Sequence, residues 1–162
     1  MANEKKVVMN STRYLAFSLK DEEFAVPLSA VREVIALPEI TPVPHAPQHF
    51  LGIMNLRGQV ISVMDLRTKM GIKISDEKSV ETGVIIFDFG EVSLGAVVSS
   101  INSVVSFAFE DIQEKPQTMN QFRSDYITGV AKRGDRLTLI LDVVRALDQG
   151  ELAAVKAASK AA

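Results

Sequence analysis

The sequence predicts an all-β protein with short helices, built as two small five-stranded barrels packed face to face around one core. Three observations lead there. Short β-rich runs are joined by turn residues along most of the chain. The pattern occurs twice at nearly constant spacing. Each copy holds about five short strands and too little apolar area to stand alone. Closing such sheets into barrels also removes exposed edges.

Residues 1–12 read as a polar, frayed tail. From Arg13, the apolar residues Tyr14, Phe17 and Leu19 precede Lys20-Asp21-Glu22-Glu23, and Phe24 and Val26 follow it. That is a β-hairpin signal, and Pro27 closes its second strand. Ser29 is placed to cap a short helical turn leading through Val31, Val34 and Ile35. Pro38, Pro42, Pro44 and Pro47 exclude a helix and a central strand, so the chain runs extended there. Phe50 to Leu56 is a strand, Arg57-Gly58 a turn that uses the backbone freedom of glycine, and Val60 to Met64 the returning strand. Asp65 caps a short helix, Leu66 to Met70, and Gly71 suits its left-handed C-terminal position. Residues 73–83 are polar and aperiodic, a linker or mobile loop.

The second half repeats the first. Phe17 falls on Phe87 with an offset of 70 residues, which also places Phe24 on Leu94, Ala25 on Gly95, Ser29 on Ser99 and Val34 on Val104. Gly52 falls on Gly129 with an offset of 77, which places Val60 on Leu137, Val63 on Ile140 and Asp65 on Asp142. The expectation is one domain over residues 13–149, with barrel halves at about 13–75 and 84–149 that are free to exchange strands. Gly150 to Ala162 is alanine-rich with a thin apolar face, which predicts a terminal helix with frayed ends.

Composition narrows function. The 162 residues are 47% hydrophobic and 23% charged, with net charge −2 at pH 7 and no Cys or Trp. A chain this long can bury roughly 70% of its unfolded surface without a metal or disulfide. The absence of cysteine excludes a disulfide framework, a thiolate zinc site, an iron–sulfur cluster and a cysteine nucleophile. The charge balance argues against a broad positive face for nucleic acid. The polar start and the lack of a long apolar run predict a cytoplasmic protein without signal peptide or membrane span.

The search for chemistry finds little. His45 and His49 have metal-ligand spacing for a helix, but the flanking prolines deny them one, so they read as loop histidines. Gly129 to Gly134 begins like a phosphate loop, but Asp135-Arg136 replaces the required Lys-Ser/Thr. Arg133-Gly134-Asp135 reads as a hairpin turn. The carboxylates at 21–23, 76–77 and 110–114 read as solvated or capping groups, and no catalytic, cofactor or metal site is expected. What remains is an apolar surplus around loops, in Leu37, Ile40, Val43, Phe50 and Leu51, with Arg57 close by. Exposed apolar patches mark partner surfaces, and arginine is enriched at interface hot spots.

The stretch Gly52-Ile-Met-Asn-Leu-Arg-Gly-Gln-Val-Ile-Ser-Val-Met-Asp-Leu-Arg67 resembles the signature of the CheW-like family. The resemblance runs from about Tyr14 to Leu147 and includes Phe24-Ala-Val-Pro-Leu, Val31-Arg-Glu-Val-Ile, Tyr126-Ile-Thr-Gly-Val and Leu139-Ile-Leu-Asp. It implies two intertwined five-stranded SH3-like barrels. It also implies a non-catalytic adaptor without cofactor, like the family's stand-alone coupling member. Such an adaptor bridges the cytoplasmic tips of chemoreceptors (methyl-accepting chemotaxis proteins) to the regulatory domain of the histidine kinase CheA, in the cytoplasm at membrane receptor arrays. The family's contact regions fall on Val31, Glu33, Val34 and Ile35, and on Gly52, Asn55, Arg57 and Gly58. Charged residues rarely sit unpaired in cores, so Glu33 and Arg57 are expected to pair and fix the turn beside a receptor groove, which is expected between the barrels. Ser62 stands where the family often has proline, and the tail from Gly150 matches no family contact. The competing reading is a small-metabolite-sensing β-barrel of another signalling pathway, and a hydrolase is disfavoured by the poverty in His and Cys.

Overall fold

The computed structural model describes residues 11–73, 81–90, 92–115 and 126–147. The chain forms β1 (Ser11–Leu19), β2 (Glu22–Pro27), β3 (Val31–Ala36), β4 (Phe50–Leu56), β5 (Gln59–Asp65) and the short helix α1 (Leu66–Lys69). Then follow β6 (Gly83–Asp88), β7 (Ser93–Val98), β8 (Ser100–Ala108), β9 (Ile112–Gln113), β10 (Ile127–Arg133), β11 (Arg136–Leu141) and α2 (Val143–Ala146). Two sheets result, one with strand order β3-β6-β7-β5-β4 and one with order β8-β1-β2-β11-β10-β9. They are the two SH3-like barrels, called here barrel 1 and barrel 2.

Each barrel borrows a hairpin from the other half of the chain. Barrel 1 takes β6 and β7, whereas barrel 2 takes β1 and β2. The borrowed hairpin docks by a parallel pair, β5 with β7 in one barrel and β11 with β2 in the other. The repeat holds residue for residue. Phe17 pairs with Ile101 as Phe87 pairs with Val31, and Phe24 pairs with Leu139 as Leu94 pairs with Ser62. Asp65 N–H donates to His49 O and Asp142 N–H to Tyr126 O, both at 2.7 Å. Both aspartates cap the helix that follows.

Period-2 alternation explains the core. The central strands are buried on both faces, so alternate residues serve different cores. On β6, Ile85 and Phe87 enter the core shared by the barrels, while Val84 and Ile86 fill barrel 1. On β2, Phe24 and Val26 enter the shared core, while Ala25 packs inside barrel 2 with Tyr14 and Phe107. Phe17 and Phe24 stack in the shared core with ring centroids 6.2 Å apart.

Several expectations need correction. Barrel 2 has six strands rather than five, because β9 adds a two-residue pair on β10. Its counterpart in barrel 1 is the single bridge of Thr41 to Ile53. Val31, Val34 and Ile35 lie on a strand, not a helical turn. Only Leu28–Ala30 turns helically, and Ser29 does not cap it. The apolar spacing imitates a helix, but the segment pairs with β6 and alternates in burial. Ser11 and Thr12 open β1 rather than belonging to the tail. Residues 1–10 and the alanine-rich segment 150–162 lie outside the described residues, as do 74–80 of the linker.

Two local devices hold the folded chain. Gly52 has φ of 143°, and a Cβ there would lie 2.0 Å from the carbonyl oxygen of Thr41. The glycine lets the proline loop press on β4, with backbone hydrogen bonds of 2.8 and 2.9 Å between Thr41 and Ile53. In barrel 2, Glu23 accepts from Thr138 Oγ1 at 2.7 Å, Arg133 Nη1 at 2.9 Å and Asn102 Nδ2 at 3.1 Å. The network ties β2, β8, β10 and β11. Burial alone disfavours the charge of Glu23, but these hydrogen bonds and the positive Arg133 outweigh it and hold the pKa below the ordinary glutamate value.

A group with a lowered folded pKa stabilises above its unfolded pKa, and the contribution is lost as pH falls through the folded value. Glu23→Gln therefore destabilises by about 1–3 kcal/mol at neutral pH. Urea unfolding should show that difference from wild type shrinking below about pH 4. Gly52→Ala should cost about 2–4 kcal/mol in the same measurement, because the added methyl meets fixed backbone. Gly58→Ala, with open space around it, should cost about 1–2 kcal/mol from backbone strain alone.

Candidate functional site

The β4–β5 hairpin ends in a two-residue turn. Arg57 has φ of 53° and Gly58 φ of 86°. Two successive positive values match the type I′ turn, whose twist suits paired strands. Glycine takes this conformation freely, whereas for arginine it costs about 1–2 kcal/mol. Asn55 Oδ1 accepts from Gly58 N–H at 2.9 Å and supports the turn from below.

Arg57 reaches from this turn to β3. Its Nη1 and Nη2 donate to Glu33 Oε1 and Oε2 at 3.1 and 3.0 Å, a fork-to-fork pair. Beside it, Arg32 Nη1 donates to Gln59 Oε1 at 3.0 Å. Strands β3 and β4 are the two edges of the barrel 1 sheet, so these bonds tie one edge to the hairpin at the other. The Arg57 side chain is 71% exposed and that of Glu33 20%. An exposed pair of this kind contributes about 0–1 kcal/mol. It holds the guanidinium in place more than it holds the protein together.

The structure divides the eight expected contact residues. Glu33, Asn55, Arg57 and Gly58 form one surface corner, whereas Val34, 44% exposed, lies on the opposite face of β3 from Glu33. Val31 packs partly against the shared core and Ile35 against the core of barrel 1. Gly52 is buried under the proline loop, so it serves backbone packing and offers no contact surface.

The groove expected between the barrels has a counterpart in an apolar cavity of about 290 Å³ there, although its lining was not legible in the sequence. It is lined by Val26 of the borrowed hairpin, Ala30 of the helical turn after it, Phe87 and Phe89 from β6 and its end, and Val143 and Val144 of α2. Asp142 and Thr128 add polar groups to its rim. None of the eight expected residues lines it. Only the exchange of hairpins brings these segments together, and no local pattern announces that. Among the described residues no group of three or more His, Asp or Glu is placed to hold a metal ion, and no helix is long and apolar enough to cross a membrane.

Comparison with known proteins agrees with this architecture. The chemotaxis protein CheW of Rhizobium meliloti is 33% identical over 144 residues, covering 88% of this chain and 92% of the relative. The chemotaxis protein CheW of Klebsiella aerogenes is 30% identical over 150 residues, covering 91% of this chain and 88% of the relative. The crystal structure of the scaffolding protein TtCheW from Thermoanaerobacter tengcongensis superposes with a TM-score of 0.72 at 28% identity, covering 81% of this chain and 88% of that one. The CheW-like domain model matches residues 13–151, and the chain therefore belongs to the CheW-like family.

Proposed function

We propose that this chain is a non-catalytic adaptor of bacterial chemotaxis, coupling the cytoplasmic tips of chemoreceptors to the regulatory domain of a histidine kinase at membrane receptor arrays. The observation that carries the reading is the preorganised corner of Glu33, Asn55, Arg57 and Gly58, within a chain whose family and chemotaxis relatives match over most of its length. A guanidinium held by two bonds yet open to solvent loses little side-chain entropy when a partner carboxylate or carbonyl meets it. Arginine is also a frequent hot spot at interfaces.

The cavity between the barrels supports the receptor half of the reading. Helix-in-groove recognition needs an apolar cleft with a few polar guides. Phe87, Phe89 and Val143 supply the first, while Asp142 and Thr128 supply the second. The receptor tip seats apolar side chains of one helix there, and the Arg57 corner completes contact with receptor and kinase.

Replacement of Arg57 must respect its backbone, so Arg57→Gly is the informative variant: glycine keeps the turn and removes the guanidinium. Its melting temperature should stay near wild type while capture of a receptor-tip fragment and of the kinase regulatory domain falls at least about tenfold. Unfolding of Arg57→Gly, or undiminished capture of both partners, overturns the role. Val144→Asp tests the cavity. Val144 is 41% exposed and lies in the first turn of α2, where an acidic residue is tolerated. This variant should fold normally and weaken receptor-tip binding about tenfold in a titration. Equal affinity for wild type and Val144→Asp removes the cavity from the receptor interface.

A further inference from the structure

The internal repeat provides a comparison within one molecule. The corner of barrel 1 that carries Arg57 has a counterpart in barrel 2, where Asn102 replaces Arg32, Gly134 replaces Arg57 and Arg136 replaces Gln59. In barrel 1 both guanidinium groups are bonded, Arg57 to Glu33 and Arg32 to Gln59. The counterpart differs. Arg133 and Arg136 stand directly opposite each other across the β10–β11 pair. Like charges in that position repel. Arg133 is bound by Glu23 at 2.9 Å, but the Arg136 side chain makes no hydrogen bond or ion pair among the described residues. Both line one open groove of about 720 Å³, with Ser18, Asn102 and Ser103 on the opposite wall.

Glu23 does not neutralise this groove. Its two oxygens are engaged by Thr138, Arg133 and Asn102, and its single charge is matched by Arg133. Among the described residues the Arg136 side chain has no bonded partner, and only Nη1 of Arg133, the residue opposite it, is bonded. Two planar forks facing one space suit a carboxylate, which accepts two parallel N–H bonds. The nearby Glu23 carboxylate repels a doubly charged phosphate more than a singly charged carboxylate. The groove is open to solvent and is lined from β1, β2, β8 and the β10–β11 hairpin, which leaves a segment of chain room to approach it.

We propose that this groove of barrel 2 docks an acidic segment of a partner protein, with Arg136 as the principal carboxylate donor and Arg133 as the second. The inference stands apart from the Arg57 corner and from the cavity between the barrels. It is tested on the full chain by following backbone amide shifts during titration with an acetylated tetraglutamate peptide, against tetraglutamine as control. Tetraglutamate should give saturable shifts at Ser18, Asn102, Ser103 and Gly134, weakening as salt rises. Arg136→Gln should weaken the binding about tenfold, and Arg136→Lys, which keeps the charge but loses the fork, by less. Arg145→Gln, an exposed arginine on α2 outside the groove, should leave it unchanged. Equal shifts with tetraglutamine, affinity untouched by Arg136→Gln, or equal saturation by inorganic phosphate at matched ionic strength would each overturn the proposal.

Discussion

Two parallel strand pairs, β2 with β11 and β5 with β7, are the constraint on which the rest depends. Each joins a hairpin to the barrel built by the other half of the chain. Thr138 and Glu23, which meet across one of these pairs, are 115 positions apart in sequence. Without the pairs, β5 and β11 become open edges and the shared core loses the strands that fill it. Phe17, Phe24, Phe87 and Leu94 all belong to borrowed hairpins, and all point into that core. Neither half can therefore bury its apolar residues alone. The repeated unit is one of sequence, while the folding unit is the whole domain. Such long-range pairing costs loop entropy before it is rewarded, so a slow folding step is the natural consequence.

The exchange also decides where function can be placed. It buries both faces of β2, β5, β6 and β7, which leaves little surface there for partners. What stays open is the rim: the hairpin ends, the edge strands and the seam where borrowed and native strands meet. The Arg57 corner lies at a hairpin end, the apolar cavity at the seam and the Arg136 groove at the second hairpin end. The pseudo-twofold repeat makes the first and last of these the same place on two barrels. Their charges differ: Arg57 and Arg32 are both bonded in barrel 1, whereas in barrel 2 Arg133 is bonded and the Arg136 side chain has no partner among the described residues. One scaffold then offers two rims of different chemistry.

Local features were legible in the sequence because their causes are local. Asp65 and Asp142 cap because a carboxylate two residues before an amide reaches it. Arg57-Gly58 turns because glycine follows it, and Pro27 ends β2. The repeat was legible because capping and turn residues recur at fixed offsets. The partnership of Glu33 with Arg57 could be anticipated only through the family resemblance, which marks both positions, together with the rule that charged residues rarely go unpaired in cores. The β3 strand was not legible as such. Val31, Val34 and Ile35 have helical spacing, and only pairing with β6 reveals that Val34 points outward. The Glu23 network, the cavity and the crowding of Gly52 under Thr41 all depend on segments brought together by the exchange. The identity of those segments is a property of topology, which no local window contains.

The energetics of the Arg57 corner follow from this division. The shared core supplies stability through large buried side chains, each giving about 1.5–3 kcal/mol on burial. The corner supplies almost none. Its arginine sits in an unfavourable backbone region, and its ion pair is exposed enough to return about 0–1 kcal/mol. A residue that neither packs nor stabilises would gain by relaxing to asparagine or glycine, which accept the same turn at lower cost. Glu33 points the same way, because a carboxylate on an edge strand has no structural need for a bidentate partner. Stability therefore does not account for the pair. What the arrangement does achieve is a guanidinium fixed in direction before any partner arrives, which lowers the entropy lost on binding.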